Sequence, residues 1–161
     1  MKKHFIVPFV LAFCALLVSS CVQPSAPEAQ FIEYKVAGVS SQGIEVNFFF
    51  NIKNKNPLPI DINNYSYKVY IEGQELLNEE RGGFNLGANS EKIIHIPVMI
   101  KYQNVFGSIN AVIQRIAQGK KTISYSIDGS LNAGSMGLTV TTPIKASGEI
   151  PLPQDLNSIK F

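Results

Sequence analysis

The sequence predicts an all-β fold, an antiparallel β-sandwich carrying one amphipathic helix. Three observations predict it. Apolar and polar residues alternate over long segments, most clearly from Gly43 to Lys53, where Ile44, Val46, Phe48, Phe50 and Ile52 share one side. Clusters of Gly, Pro, Asn and Ser punctuate the chain about every ten residues, the spacing of short strands joined by tight turns. Only one stretch, 103–118, changes to helical spacing.

The chain starts with something other than a strand. Lys2 and Lys3 precede an apolar run from Phe5 to Val18, broken only by Pro8, and the small residues Ser19 and Ser20 follow. That order is the positive, apolar and cleavage region of a secretory signal. The run is shorter than the roughly 20 residues a membrane span needs. The tetrapeptide Val18-Ser19-Ser20-Cys21 resembles the bacterial lipobox of aliphatic, small, small, cysteine. The resemblance implies that residues 1–20 are removed and that Cys21 becomes the lipid-bearing first residue. Its thiolate would form a thioether to diacylglycerol, and the freed amine would take a further acyl chain, the palmitate-type modification of such proteins. Val22 stands where an aspartate would retain the protein, so the resemblance implies an outer-membrane location facing the periplasm. Two or three chains anchor firmly, since each buried CH2 contributes about 0.8 kcal/mol.

Cysteine usage agrees with this reading. Cys14 falls in the discarded segment, which leaves Cys21 as the one remaining cysteine and rules out an intramolecular disulfide. The remaining 141 of 161 residues have a one-domain length. Of the 14 Lys and Arg, Lys2 and Lys3 leave with the signal, so 12 stand against 12 Asp and Glu. An exported protein this close to neutral has no basic excess for nucleic acid. Residues 21–30 read as a lipidated tether of Pro and polar residues. The domain is expected over 31–153, with a tail over 154–161.

Phe31 to Val36 predicts the first strand, ended by Gly38 and the turn Ser40 to Gly43. Gly43 to Lys53 is the second, with Phe49 as the apolar exception on its polar side. Asn56-Pro57 initiates a turn. Tyr65, Tyr67, Val69 and Ile71 restart the alternation, and Gly73-Gln74 reads as a hairpin turn into Glu75-Leu76-Leu77. Gly82-Gly83 and Gly87 to Ser90 read as further turns, and Glu79-Glu80-Arg81 as a solvated one. Ile94, Ile96, Val98 and Ile100 mark a strand interrupted by Pro97. Proline donates no ladder hydrogen bond, so this strand belongs at an edge or turns its Pro97 nitrogen away from a partner. Val105, Phe106, Ile109, Val112, Ile113 and Ile116 line one face of the helix, and Gly119 stops it. Ile123, Tyr125 and Ile127 mark the next strand. Gly137 to Ile150 reads as a last strand pair with Leu138, Val140 and Ile144 inward, and Pro151 and Pro153 end the sheet.

The run Val46 to Ile60, an alternating strand closing in Asn56-Pro57, resembles the signature of the group 2 late embryogenesis abundant proteins, the water stress and hypersensitive response (WHy) domain. Tyr65 to Gly73 matches the tyrosine-containing strand that follows in that family. Asn85 to Ser90, followed by Ile96-Pro97-Val98, is similar to its later turn and strand. The chain departs at Leu58, where the family often has a second asparagine. The resemblance covers roughly Phe31 to Pro153. It implies a fibronectin-III or immunoglobulin-like sandwich and a non-enzymatic role in desiccation or other stress. Many proteins called late embryogenesis abundant are hydrophilic and disordered, whereas this chain is 45% hydrophobic and patterned.

The residues offer little for catalysis. His95 is the one histidine past the signal, on the outward side of its strand, and reads as a surface histidine rather than a base or ligand. The aspartates are Asp61, Asp128 and Asp155. No zinc set, catalytic triad or phosphate-binding glycine loop emerges from these residues. No cofactor, metal or small-molecule substrate is expected. Asn56 has two readings: shaping its turn through nearby backbone, or contacting a partner. Phe49 and Tyr70 sit either beneath the helix or in an exposed patch. The expected partners are a membrane, through the lipid on Cys21, and envelope or client proteins. Two functions compete: a stress-protective or envelope-maintaining lipoprotein, and a lipid-tethered subunit of an envelope complex that docks through a sheet edge.

Overall fold

A computed structural model describes residues 25–135 and 138–152. Among these residues seven strands and two short helices run in the order β1 (Glu28–Val39), β2 (Gly43–Lys53), β3 (Ile60–Ile71), β4 (Gln74–Leu86), β5 (Glu91–Lys101), α1 (Tyr102–Phe106), α2 (Ile109–Ala117), β6 (Thr122–Ser135) and β7 (Leu138–Pro151). They form a three-stranded sheet, β1-β2-β5, and a four-stranded sheet, β4-β3-β6-β7. Every pairing is antiparallel. The all-β sandwich expected from the alternation is therefore the fold.

The core is made by the alternating residues. Ile44, Val46, Phe48, Phe50 and Ile52 of β2 are fully buried, as are Val69 and Ile71 of β3, Ile96 and Ile100 of β5, Ile123 of β6, and Ile144 and Ile150 of β7. A period of two places each set on one face, and the two inner faces meet. An aromatic cluster closes the β1 side. Phe48 and Tyr125 stand 4.8 Å apart between ring centres, Tyr34 and Tyr125 5.8 Å, and Phe31 and Phe50 5.5 Å. The Tyr34 hydroxyl donates to the Glu149 carbonyl at 3.0 Å, stitching the β1 edge to β7.

Both proline-bearing strands, β5 with Pro97 and β7 with Pro143, are edge strands, as their missing N–H groups require. β1, the other edge of its sheet, shifts register between Phe31 and Glu33 and again between Val36 and Gly38. Such bulges twist an edge away from intermolecular pairing.

Several boundaries differ from the sequence expectation. β1 begins at Glu28, inside the stretch 21–30 expected to be tether. β3 begins at Ile60 rather than near Tyr65. The β3–β4 turn is Glu72-Gly73, one residue earlier than Gly73-Gln74, and both residues have positive φ, 49° and 78°. That is the geometry of a two-residue type I′ hairpin. Gly82-Gly83 is no turn, and Glu79 to Arg81 is strand: all lie within β4. Gly83 is required because a Cβ there would lie 1.6 Å from the Ile62 carbonyl oxygen, beside the register shift between Ile62 and Asn64. Residues 138–151 form one long strand, not a pair, and Val140 is only half-buried. Pro153 and the tail 154–161 lie outside the described residues.

The helical stretch falls where its spacing placed it, but in two pieces. Gly107 adopts φ 78° after α1, and the Ser108 side chain accepts from the Ala111 amide to cap α2. Gly119, at φ 85°, ends α2 as expected. The helices follow Lys101, so they cover one end of the sandwich, with Tyr102 and Val112 buried in the core. The opposite end holds the β2–β3 and β4–β5 loops and the start of β1.

Candidate functional site

The loop end is built around two asparagines that follow β2. Asn54 is fully buried. Its side-chain NH2 donates to the Leu58 carbonyl at 2.9 Å and the Gly87 carbonyl at 2.8 Å, with a longer contact of 3.4 Å to the Leu86 carbonyl. Its side-chain oxygen accepts from the Asn56 amide at 2.9 Å and from Asn56 Nδ2 at 2.8 Å. An asparagine side chain has two donors and two acceptor sites, and all are engaged. Asn56, also buried, passes the network outward. Its Oδ1 accepts from the Ser25 amide at 2.8 Å and the Ser25 hydroxyl at 3.1 Å, and its Nδ2 donates to the Ser25 carbonyl at 2.8 Å.

Three separate passages of chain are thereby joined. Backbone bonds reinforce them: the Asn54 amide donates to the Ser90 carbonyl at 2.8 Å, and the Asn89 amide to the Asn56 carbonyl at 2.9 Å. Asn89 itself has φ 48°, a conformation asparagine tolerates. Pro27 is buried, and its carbonyl accepts from the buried Thr142 hydroxyl at 2.8 Å. The segment Ser25–Pro27, expected as free tether, is thus fastened to the domain.

Of the residues singled out from sequence, Asn56 lies at the centre of this network and Pro57 is exposed beside it. Asn56 does more than shape its own turn, because its main partner is 31 positions away. The turn itself is shaped by Asn54, whose side-chain oxygen bonds the amide two residues on. Asn54 was missed. The spacing Asn-Lys-Asn-Pro carried a signal for that local bond, but nothing signalled the bond to Gly87. Cys21 lies outside the described residues.

At the helix end a different centre forms. Glu72 Oε1 accepts from the Ser124 amide at 2.7 Å and the Ser124 hydroxyl at 3.1 Å, while Oε2 meets Arg115 at 3.1 Å and Lys120 at 3.2 Å. Partial burial pushes this carboxyl upward, but the hydrogen bonds from Ser124 and Lys120 and the Lys120 charge outweigh it and hold it below the ordinary value. These contacts fasten α2 and β6 to the β3–β4 turn and hold Glu72 at its positive φ.

The remaining candidates are dispersed. His95 is exposed on the outer face of β5, 6.3 Å from the Phe49 ring. Phe49 lies on the outer face of the three-stranded sheet under the Lys35 ammonium, 5.3 Å away, and not beneath a helix. Tyr70 is half-buried on the outer face of the other sheet, in a shallow cleft with Ser126, Asp128 and Lys145. The helix reading fails for Phe49 because the helices cover an end of the sandwich and not the outer face of its sheet. Among the described residues no three His, Cys, Asp or Glu come close enough to hold a metal ion, and no helix is long and apolar enough to cross a membrane.

Residues 49–148 match the family described as late embryogenesis abundant protein. The solution structure of the late embryogenesis abundant (LEA) protein At2g46140.1 is similar at a TM-score of 0.59 and 20% identity, over 92% of this chain and 84% of that one. The solution structure of AT1g01470 from Arabidopsis thaliana is similar at a TM-score of 0.59 and 20% identity, over 88% and 91%. At that identity these likenesses speak for the fold. The chain is also 27% identical over 96 residues to the voltage-gated inwardly rectifying potassium channel KCNH6 of Homo sapiens, covering 57% of this chain. It spans about a tenth of the length of the curated relatives it matches.

Proposed function

The chain belongs to the late embryogenesis abundant protein family, and from that premise we propose that it is a non-enzymatic lipoprotein of the water stress and hypersensitive response type. Anchored through Cys21 in the outer membrane and facing the periplasm, it shields envelope components during desiccation or maintains them. The observation that carries this reading is the coincidence of the family match, residues 49–148, with a sandwich whose two buried asparagines, Asn54 and Asn56, bond one another and the neighbouring loops. Asn54 has its hydrogen bonds spent on the fold. The lipobox-like Val18 to Cys21, with Cys21 four residues ahead of the fastened Ser25, supports the anchor.

The anchor is tested by Cys21→Ala, expected to move the protein from the detergent-extracted membrane fraction to the soluble one; full retention in the membrane would sink it. The protective role is tested by drying labile client enzymes with and without the protein. It predicts preserved activity across unrelated clients. A second reading, a lipid-tethered subunit of an envelope complex, draws on Ile93 and Met99, 61% and 46% exposed on the outer face of edge strand β5. It predicts capture of one defined envelope partner by crosslinking and no protection of unrelated clients.

A further inference from the structure

We propose that the loop end of the sandwich docks on the lipid surface, with Leu58 as the residue that enters it and the helix end directed away. The proposal rests on the lipid anchor at Cys21 argued above and adds an orientation to it. Its basis is where the fastened chain begins. Four Cα–Cα steps separate Cys21 from Ser25, a reach of at most about 14 Å. Ser25 is held by Asn56 through three hydrogen bonds of 2.8 to 3.1 Å. A tether flexible throughout 21–30 would let the domain turn freely. With its second half fastened, the end that carries Ser25 stays at the anchor.

That end presents suitable chemistry. Pro57, Leu58 and Pro59 follow Asn56, and all three are exposed. Leu58 is 44% exposed at the loop, while its carbonyl is held inward by Asn54 Nδ2 at 2.9 Å. An apolar side chain flanked by two prolines, on a backbone fixed from behind, enters an interface with little further ordering. The Lys53, Lys55 and Lys92 side chains share this end with Glu28, Asp61 and Glu91, so apolar contact rather than net charge selects the surface. The helices begin after Lys101, which pairs with Gly43 at the far end of β2. Ten residues of strand put them about 33 Å farther out.

The protein contains no tryptophan, which makes a direct test possible. Lipidated full-length protein carrying Leu58→Trp, and separately Gln114→Trp on exposed α2, is placed in phospholipid vesicles containing lipids brominated near the headgroup end of the acyl chain. Mass spectrometry first establishes the diacylglycerol on Cys21. The proposal expects blue-shifted, bromolipid-quenched emission from position 58 and water-exposed, unquenched emission from position 114. An anchored protein with neither position quenched, or with both quenched, overturns the docking while the anchor stands. Absence of lipid on Cys21 removes the anchor and the orientation together. Leu58→Asp in the Gln114→Trp background, where position 58 itself is not the probe, is expected to leave vesicle binding intact. It should also loosen the orientation, so that emission from position 114 becomes partly quenched; unchanged emission counts against Leu58 as the contact.

Discussion

The two ends of the sandwich close the same kind of gap with opposite chemistry. The loop end is tied by neutral amides: Asn54 and Asn56, both buried and fully bonded, hold one another and the backbone of Ser25, Leu58 and Gly87. The helix end is tied by a carboxylate, Glu72, facing Arg115, Lys120 and Ser124 with 18% of its side chain exposed. Neutral amides are indifferent to pH and salt but intolerant of losing a partner, since every orphaned buried group retains its full desolvation penalty. A partly exposed ion pair is modest in strength and responds to both pH and salt. The domain should therefore be mechanically constant at the end that leads to Cys21 and adjustable at the end that carries the helices.

Asn54→Ala should break this contrast most severely. It leaves the Leu58 and Gly87 carbonyls and the Asn56 amide without their partner, and a loss on the order of 3 kcal/mol or more is expected in urea unfolding. Asn54→Asp should not rescue it, because two donors become acceptors in a buried site. Asn56→Ala comes next, at about 2 kcal/mol. Its distinguishing readout is hydrogen exchange, which should rise at the Ser25 amide while the core of β2 and β6 stays protected.

Glu72→Gln should remove about 1 kcal/mol and change the pH profile. The folded carboxyl titrates below its unfolded value, so its stabilisation is complete above the unfolded pKa and is lost as pH falls through the folded one. Wild type should lose stability on acidification over that range more steeply than Glu72→Gln, and raised salt should narrow the gap at neutral pH. Equal acid profiles would contradict the assignment. Lys55→Ala, which removes an exposed pair with Glu28 at the loop end, should fall within about 0.5 kcal/mol of wild type.

Much of the fold was legible in the sequence, because period-two alternation is a local property. β2 and β5 follow directly from Ile44 to Ile52 and Ile94 to Ile100, and Pro97 limited its strand to an edge or to a nitrogen turned away from a partner; the structure places it at an edge. What escaped was non-local. Gly82-Gly83 has the composition of a turn, yet Gly83 serves the close approach of the Ile62 carbonyl from β3. Glu79 and Arg81 look like a solvated run, yet both bond the Tyr67 hydroxyl across the strand pair. The break in the helix was written in Gly107-Ser108, but the apolar spacing on either side continues through it. At the loop end, Asn56-Pro57 was visible as a turn. Its bond to Ser25 was not, and neither was the role of Asn54, because each depends on a loop some thirty residues away. The length of the tether escaped for the same reason: Pro and polar residues read as flexible until Asn56 and Thr142 take hold of them.

The asymmetry between the ends bears on function only if the chain is held at Cys21. Intact mass and N-terminal peptide mass of the protein extracted from its native membrane test this most directly. The account predicts a chain that begins at Cys21 and carries a thioether-linked diacylglycerol with a further acyl group on its amine. A chain that keeps residues 1–20, or one with an unmodified Cys21 thiol, would contradict it.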